Sequence, residues 1–555
     1  TRIVLICLFT LSFIVILLAI IGLVKNIFLL PLRRSLLIGS ASLTLILFVL
    51  ILKPSAPIVH DAATKGRPNI ILIGVDSLRP DFLSYFGHKE LSPHMDRFLN
   101  HATVFTESLT PLARTFPAWV SILTGTYPKK DDVRFNLAEQ INYNLEDTLP
   151  AVLRQHGYET IFATDETRFS NVDQHFGFDQ VITPPVGFND FLLGALSDFP
   201  LSNLLVNTPL GKYLFPHSYG NRPVFITYNP DSFLNLMKPT LEKPRTKPVF
   251  LAAHFCLAHF PYVWADRKFT YNSLANYQAA VQRVDQQVYG FLRLLKRNNL
   301  LQRSIVVLLS DHGEAIELSG DRITEADLFM RQTTHSTQSI PTFYPPGMQH
   351  EKVNESAGHG TDVLGLPQYH NLLAFRFFGI PNQKVISIAG RVSLLDLKPT
   401  LLSLVGIHVR KGDGNSLKDN IISGKKITVS FHQDFFIESD FSPEAVRSIH
   451  PETRKVLFEG IDFFEINPLT TRLTVRKSMA SLILSSKQYA DFYGEWVLAL
   501  YPQNKKTMMP ILVNLETGQW TNDLRLSFAK KAPVTHMINA LKNFYGSDIT
   551  SIKNG

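Results

Sequence analysis

The sequence predicts a doubly wound, mostly parallel α/β sheet, preceded by two transmembrane helices and followed by a small C-terminal antiparallel subdomain. Three observations carry this. Continuous apolar runs of strand length, such as NIILIGV at residues 69–75, suit strands buried on both faces. Amphipathic stretches separate those runs, and strand–helix alternation marks a doubly wound core. Two long uncharged runs stand at the start of the chain.

Taken in order, residues 3–24 form an uncharged run of 22 and residues 35–52 one of 18, each read as a membrane-spanning helix. Lys25, Arg33 and Arg34 lie between them. The positive-inside rule puts that loop in the cytoplasm and everything after Leu52 on the outer, periplasmic or extracellular face. The expectation is an integral inner- or plasma-membrane protein. Residues 54–67 read as a linker, 68–410 as the catalytic α/β domain and 411–555 as the subdomain that completes the fold. Within the α/β domain, strand-like runs recur at 249–253, 304–309 and 372–375, with a helical pattern over 277–297. Beyond residue 411 the runs shorten (KITVSF, RLTVRK, WVLAL, ILVNL), and a helix follows over 534–544. Residues 184–247 and 315–356 show no sheet pattern and read as lids or substrate loops, with His335 and His350 incidental.

Composition narrows the function. Apolar residues make up 45% of the 555, enough for a large core, which excludes disorder. The formal charge of +8 comes without a long Lys/Arg run outside the first segment, so no nucleic-acid partner is expected. Two cysteines, Cys7 and Cys256, exclude a disulfide framework. Any metal must be held by Asp, His and oxygen ligands.

Chemistry-bearing residues gather where α/β sheets place it, at the carboxyl ends of strands. Asp76 follows the first strand, and Asp311 and His312 follow the SIVVLL run. Carboxylates with imidazole suit Zn²⁺ or Mn²⁺, in one or two ions. Thr115 heads the run TFPAWVSILTGTYP. Its hydroxyl either caps a helix or, beside a metal, serves as a nucleophile.

These residues lie in motifs that resemble the sulfatase and alkaline-phosphatase superfamily, in particular its membrane-anchored phosphotransferase branch of lipoteichoic acid synthases and phosphoethanolamine transferases. PNIILIGVDSLRPDFLSYFG resembles the opening strand with its metal aspartate, and TFPAWVSILTGTYP the nucleophile turn. HFPY resembles the substrate-histidine loop, SDHGE the last metal strand, and VNLETGQWTNDL the C-terminal subdomain. The resemblance runs from about residue 67 to 544. It implies a metal site of Asp76, Thr115, Asp311 and His312, and catalytic roles for Thr115, His259 and His359. It also implies substrate binding by Arg114, His259 and His359, with His254 a possible second-site ligand and Asp362 a possible orienter of His359. True sulfatases carry a convertible Cys or Ser within CxPxR; here Thr115 and Trp119 stand at its first and last positions. That implies phosphoryl transfer or phosphodiester hydrolysis through a phosphothreonine adduct, on a lipid-linked or other anionic phosphate ester. A sulfate-ester hydrolase and a non-catalytic binding protein of the same fold are the alternatives.

Overall fold

The computed structural model describes residues 66–553 except 89, 139–142, 169–170, 194–203, 268–269, 333–338, 342–352, 409–411, 426–432, 441–453, 455–460, 468–472 and 505. Its centre is an eight-stranded sheet. The strands are β1 (Asn69–Val75), β2 (Thr103–Leu109), β3 (Glu159–Thr164), β4 (Gln180–Ile182), β5 (Val249–Phe255), β6 (Ser304–Ser310), β7 (His370–Phe378) and β8 (Ile386–Ser393). Their spatial order is β8-β2-β7-β6-β1-β5-β3-β4. Every neighbouring pair is parallel except those made by β7, which runs antiparallel to both β2 and β6.

β1 shows why the apolar runs are continuous. Ile71, Ile73 and Val75 face one layer and Ile70 and Leu72 the other, all buried. The first layer holds α1 (Pro93–Leu99), α4 (Asp231–Leu241) and α5 (Ser273–Arg297); the second holds α2 (Thr115–Thr124), α3 (Leu149–Gln155) and α6 (Leu397–Leu404). In α5 the buried residues Tyr277, Val281, Val284, Val288, Phe291 and Leu295 fall at helical spacing. Asn272 starts that helix by accepting the Ala275 N–H at 2.9 Å.

A second, six-stranded sheet follows, built from β9 (Phe435–Glu438), β10 (Tyr489–Tyr493), β11 (Trp496–Pro502), β12 (Thr507–Asn514) and β13 (Trp520–Thr521) with antiparallel neighbours, and β14 (Ser551–Ile552) parallel beside β12. The helix α7 (Val534–Tyr545) packs on one face through Met537, Leu541 and Tyr545. The other face meets the loops at the end of the large sheet through Ile437, Ala490, Val363 and Tyr369. The sequence run KITVSF lies outside the described residues. Residues 184–247 are not without order: among the described residues there the structure shows four helices, one of them α4.

The expectation of transmembrane helices, and of an integral membrane protein, is corrected. Among the described residues no helix is long and apolar enough to cross a membrane. The longest, α5, has 25 residues but carries Arg283, Asp285, Arg293, Lys296 and Arg297, charges that a bilayer core would reject. The two apolar runs at 3–24 and 35–52 lie outside the described residues, as do His335 and His350.

Candidate active site

Three neighbouring parallel strands end level with one another. Gly74 pairs with His254 on β5, and Val75 with Ser310 on β6. Asp76 therefore emerges from β1 beside His254, and beside Asp311 and His312 as they leave β6. The Asp76 turn is held from below: Tyr277 on α5 donates its hydroxyl to the Ser77 carbonyl at 2.7 Å and accepts the Arg79 N–H at 2.9 Å. Ser77 takes a left-handed φ of 56° in that turn, and its hydroxyl donates to Asp76 Oδ1 at 2.9 Å.

Asp76, Asp311 and His312 form a fully buried cluster able to hold a metal ion. His312 Nε2 lies 3.5 Å from Asp76 Oδ1 and 3.7 Å from Asp311 Oδ2. Its Nδ1 is 2.9 Å from the Gly313 carbonyl, which can only accept, so Nδ1 carries the proton and Nε2 offers a lone pair to the cluster. The electrostatics suit a cation. Burial, and then Asp311, push the Asp76 carboxyl well above its ordinary range. Two carboxylates in one dry site ionise together only when positive charge joins them.

Thr115 is the first residue of α2, one turn position past the cap. The capping residue is Arg114, in extended conformation, and its own side chain does not cap the helix. The Thr115 hydroxyl stands 3.4 Å from His312 Nε2, at the edge of the metal cluster. It is therefore not used in capping; in the first turn of α2 the Phe116 N–H donates instead to Asn136 Oδ1 at 3.2 Å.

The remaining predicted residues form a second wall. His359 stacks on His312, ring centres 4.5 Å apart, and meets His259 edge-on at 4.8 Å. Arg114 Nη1 is 3.1 Å from His359 Nε2, and Arg114 Nε pairs with Asp440 at 2.8 Å. Burial, followed by Arg114 and His312, pushes His359 well below the usual imidazole range. His259 is pushed down by burial and then by His359. Its Nδ1 donates to the Phe260 carbonyl at 2.7 Å, and Arg222 fixes the loop by donating to the His259 carbonyl at 2.5 Å.

Asp362 has a different job from the one suggested for it. It binds Arg322, the Tyr501 hydroxyl at 2.6 Å and the Leu364 N–H at 3.1 Å, well occupied within the subdomain contact. Glu314 is the partner of His359, at 3.0 Å. Sequence reasoning missed Glu314 although it closes the quoted SDHGE motif. Asp440 was missed too, and no local pattern marks it, because it reaches Arg114 from the second sheet. Cys256, 3.4 Å from His254 Nδ1, is a third omission.

The Sulfatase family model matches residues 68–407 of the chain. Among curated proteins, iduronate 2-sulfatase of Homo sapiens is 32% identical over 102 residues, 18% of this chain and 18% of that protein. Arylsulfatase of Clostridium perfringens is 30% identical over 95 residues, 17% of this chain and 20% of that protein. These matches span about a fifth of the relatives' length. Among solved structures, the phosphonate monoester hydrolase of Agrobacterium radiobacter superposes with a TM-score of 0.56 at 16% identity, covering 87% of this chain and 96% of its own. A 2-O GAG sulfatase gives 0.51 at 16%, covering 87% and 92%. At that identity the likeness is one of fold. The family model, by contrast, spans more than half of the sequence: this chain belongs to the sulfatase family.

Proposed function

We propose that this protein is a metal-dependent hydrolase or transferase of phosphate esters with Thr115 as nucleophile. The observation that carries the reading is the Thr115 hydroxyl, which caps nothing and stands 3.4 Å from His312 Nε2 beside the two buried aspartates. Members of the family use a divalent metal; Zn²⁺ or Mn²⁺ held by Asp76, Thr115, Asp311 and His312 would supply charge stabilisation and lower the pKa of the hydroxyl.

The chain's own groups account for the rest. Thr115 Oγ1 attacks phosphorus; the new Oγ1–P bond forms as the P–O bond to the first alcohol breaks, and that alcohol leaves with a proton. Water or a second alcohol then attacks the phosphothreonine and restores the threonine. The N-terminal end of the α2 dipole favours an anion at this wall, and Arg114 brings a planar cation to it. His259 is neutral and keeps Nε2 for proton exchange with the departing or entering oxygen. The substrate we infer is an anionic phosphate ester, lipid-linked ones included.

The test is intact mass after rapid quenching of the metal-loaded protein with a chromogenic phosphodiester, alongside Thr115→Ala. A gain on the wild type equal to the phosphoryl group with the ester alcohol that stays on it, and none on the variant, is expected. Turnover of the matching sulfate ester, with no adduct from the phosphodiester, would sink the phosphate reading and favour sulfate-ester hydrolysis.

A further inference from the structure

We propose that His254 is an additional protein ligand of the metal at Asp76 and Asp311, making this a two-imidazole centre. The inference rests on the metal-dependent reading above and goes beyond the four residues that reading uses.

His254 is completely buried at the end of β5. Its Nε2 lies 3.4 Å from Asp311 Oδ2 and 4.0 Å from Asp76 Oδ2. His254 Nε2 and Asp311 Oδ2 are both fully buried, and among the described residues neither makes a well-aligned hydrogen bond; their approach to each other at 3.4 Å is their close polar contact. Buried polar atoms that lack a well-aligned partner normally have an occupant that satisfies them. A cation fits the spacing. Donors bound at about 2.0–2.1 Å with tetrahedral angles stand roughly 3.4 Å apart.

The other face of the ring supports the same assignment. His254 Nδ1 lies 3.4 Å from Cys256 Sγ. The fully buried Cys256 thiol points its proton toward the His254 carbonyl at 3.8 Å, which leaves the sulfur to accept from Nδ1–H. A ring whose far nitrogen is committed presents its near nitrogen as a lone pair, which is how histidines are set up for metals. Trp119 closes the remaining side, its ring 5.2 Å from that of His254, and shields the imidazole from water. A second nitrogen donor shifts the preference of the site toward zinc-like metals and away from magnesium or calcium.

The experiment is zinc X-ray absorption on the full chain loaded with one equivalent of zinc, with zinc affinity measured by equilibrium dialysis for the wild type and His254→Gln. The expected spectrum shows two imidazoles and no sulfur, and the variant binds zinc roughly 10–100-fold more weakly. A single imidazole would overturn the assignment and leave the metal-dependent function standing. A sulfur scatterer would also overturn it, placing the ion on the Cys256 side of the ring. Failure to bind zinc or manganese at all would overturn both. Because the wild-type spectrum alone counts the imidazoles, the result does not depend on the variant folding.

Discussion

His359 Nδ1 lies 3.0 Å from Glu314 Oε2, while its Nε2 lies 3.1 Å from Arg114 Nη1. A guanidinium nitrogen can only donate, so Nε2 accepts and the ring's proton sits on Nδ1, facing the carboxylate. Glu314 thus sets the tautomer of His359, and His359 in turn positions Arg114. Removing the carboxylate should slow the enzyme through this relay. Glu314→Ala is expected to lower kcat/KM by roughly 10–100-fold, the usual cost of losing such an orienting partner. Glu314→Gln, whose amide oxygen still accepts from Nδ1–H, should recover most of that. Steady-state kinetics on the best phosphodiester substrate measures both.

Thr115→Ala separates catalysis from stability. If the hydroxyl is the nucleophile, turnover should fall at least about a thousandfold, as nucleophile removal does elsewhere. Since Arg114 and not Thr115 occupies the capping position, the unfolding free energy should move by less than about 1 kcal/mol. Denaturant unfolding beside the kinetics reads this; a large loss of stability would point back to a structural role.

Gly74 is glycine because of Trp119. A Cβ at Gly74 would stand 2.7 Å from Trp119 Cζ2 and 3.5 Å from His254 Cδ2. Gly74→Ala should cost about 1–3 kcal/mol, the penalty of overpacking. The smaller ring of Trp119→Phe in the same chain should relieve part of it. Additive losses in the double variant would show that the two positions do not collide.

The large domain and the second sheet are bolted by Arg134. This buried arginine donates from Nε to Glu438 Oε2 at 3.0 Å and from Nη1 to Asp548 at 2.6 Å. Arg134→Met leaves the buried Glu438 carboxylate to the longer Lys487 contact at 3.7 Å and should destabilise by about 3 kcal/mol. Asp440 sits two residues beyond Glu438, so the same change should loosen the Asp440–Arg114 pair and raise KM. Chemical denaturation and substrate saturation curves test the two effects separately.

Asp491 gives the protein a pH dependence. It is fully buried on β10, where burial, and then Asp434, push its carboxyl to about 8. The folded pKa lies above the unfolded value, so the folded state holds a proton that the unfolded state releases. Its stabilising contribution is complete below about pH 4 and is lost as pH rises toward 8, with a slope of up to about 1.4 kcal/mol per unit. Asp491→Asn should flatten that slope and raise the melting temperature at pH 8, as thermal melts across the range would show.

Much of this molecule was legible before any coordinates. Apolar runs that alternate with amphipathic stretches require buried strands covered by helices, and the run at residues 69–75 shows both of its faces occupied. A strand end is a local feature, so Asp76, Asp311 and His312 could be named from their place in the chain. Thr115 could be named too, but its two readings differed only in where one hydroxyl points. What tertiary structure alone decided are the meetings between distant segments. β5 beside β1 brings His254 against the two aspartates, and the second sheet delivers Asp440 to Arg114. Glu314, not Asp362, takes His359, and β7 runs against its neighbours. Apart from Glu314, which closes the SDHGE motif, none of these carries a local signature, because side-chain partners across a sheet are set by strand order and register, which depend on the packing of the whole core.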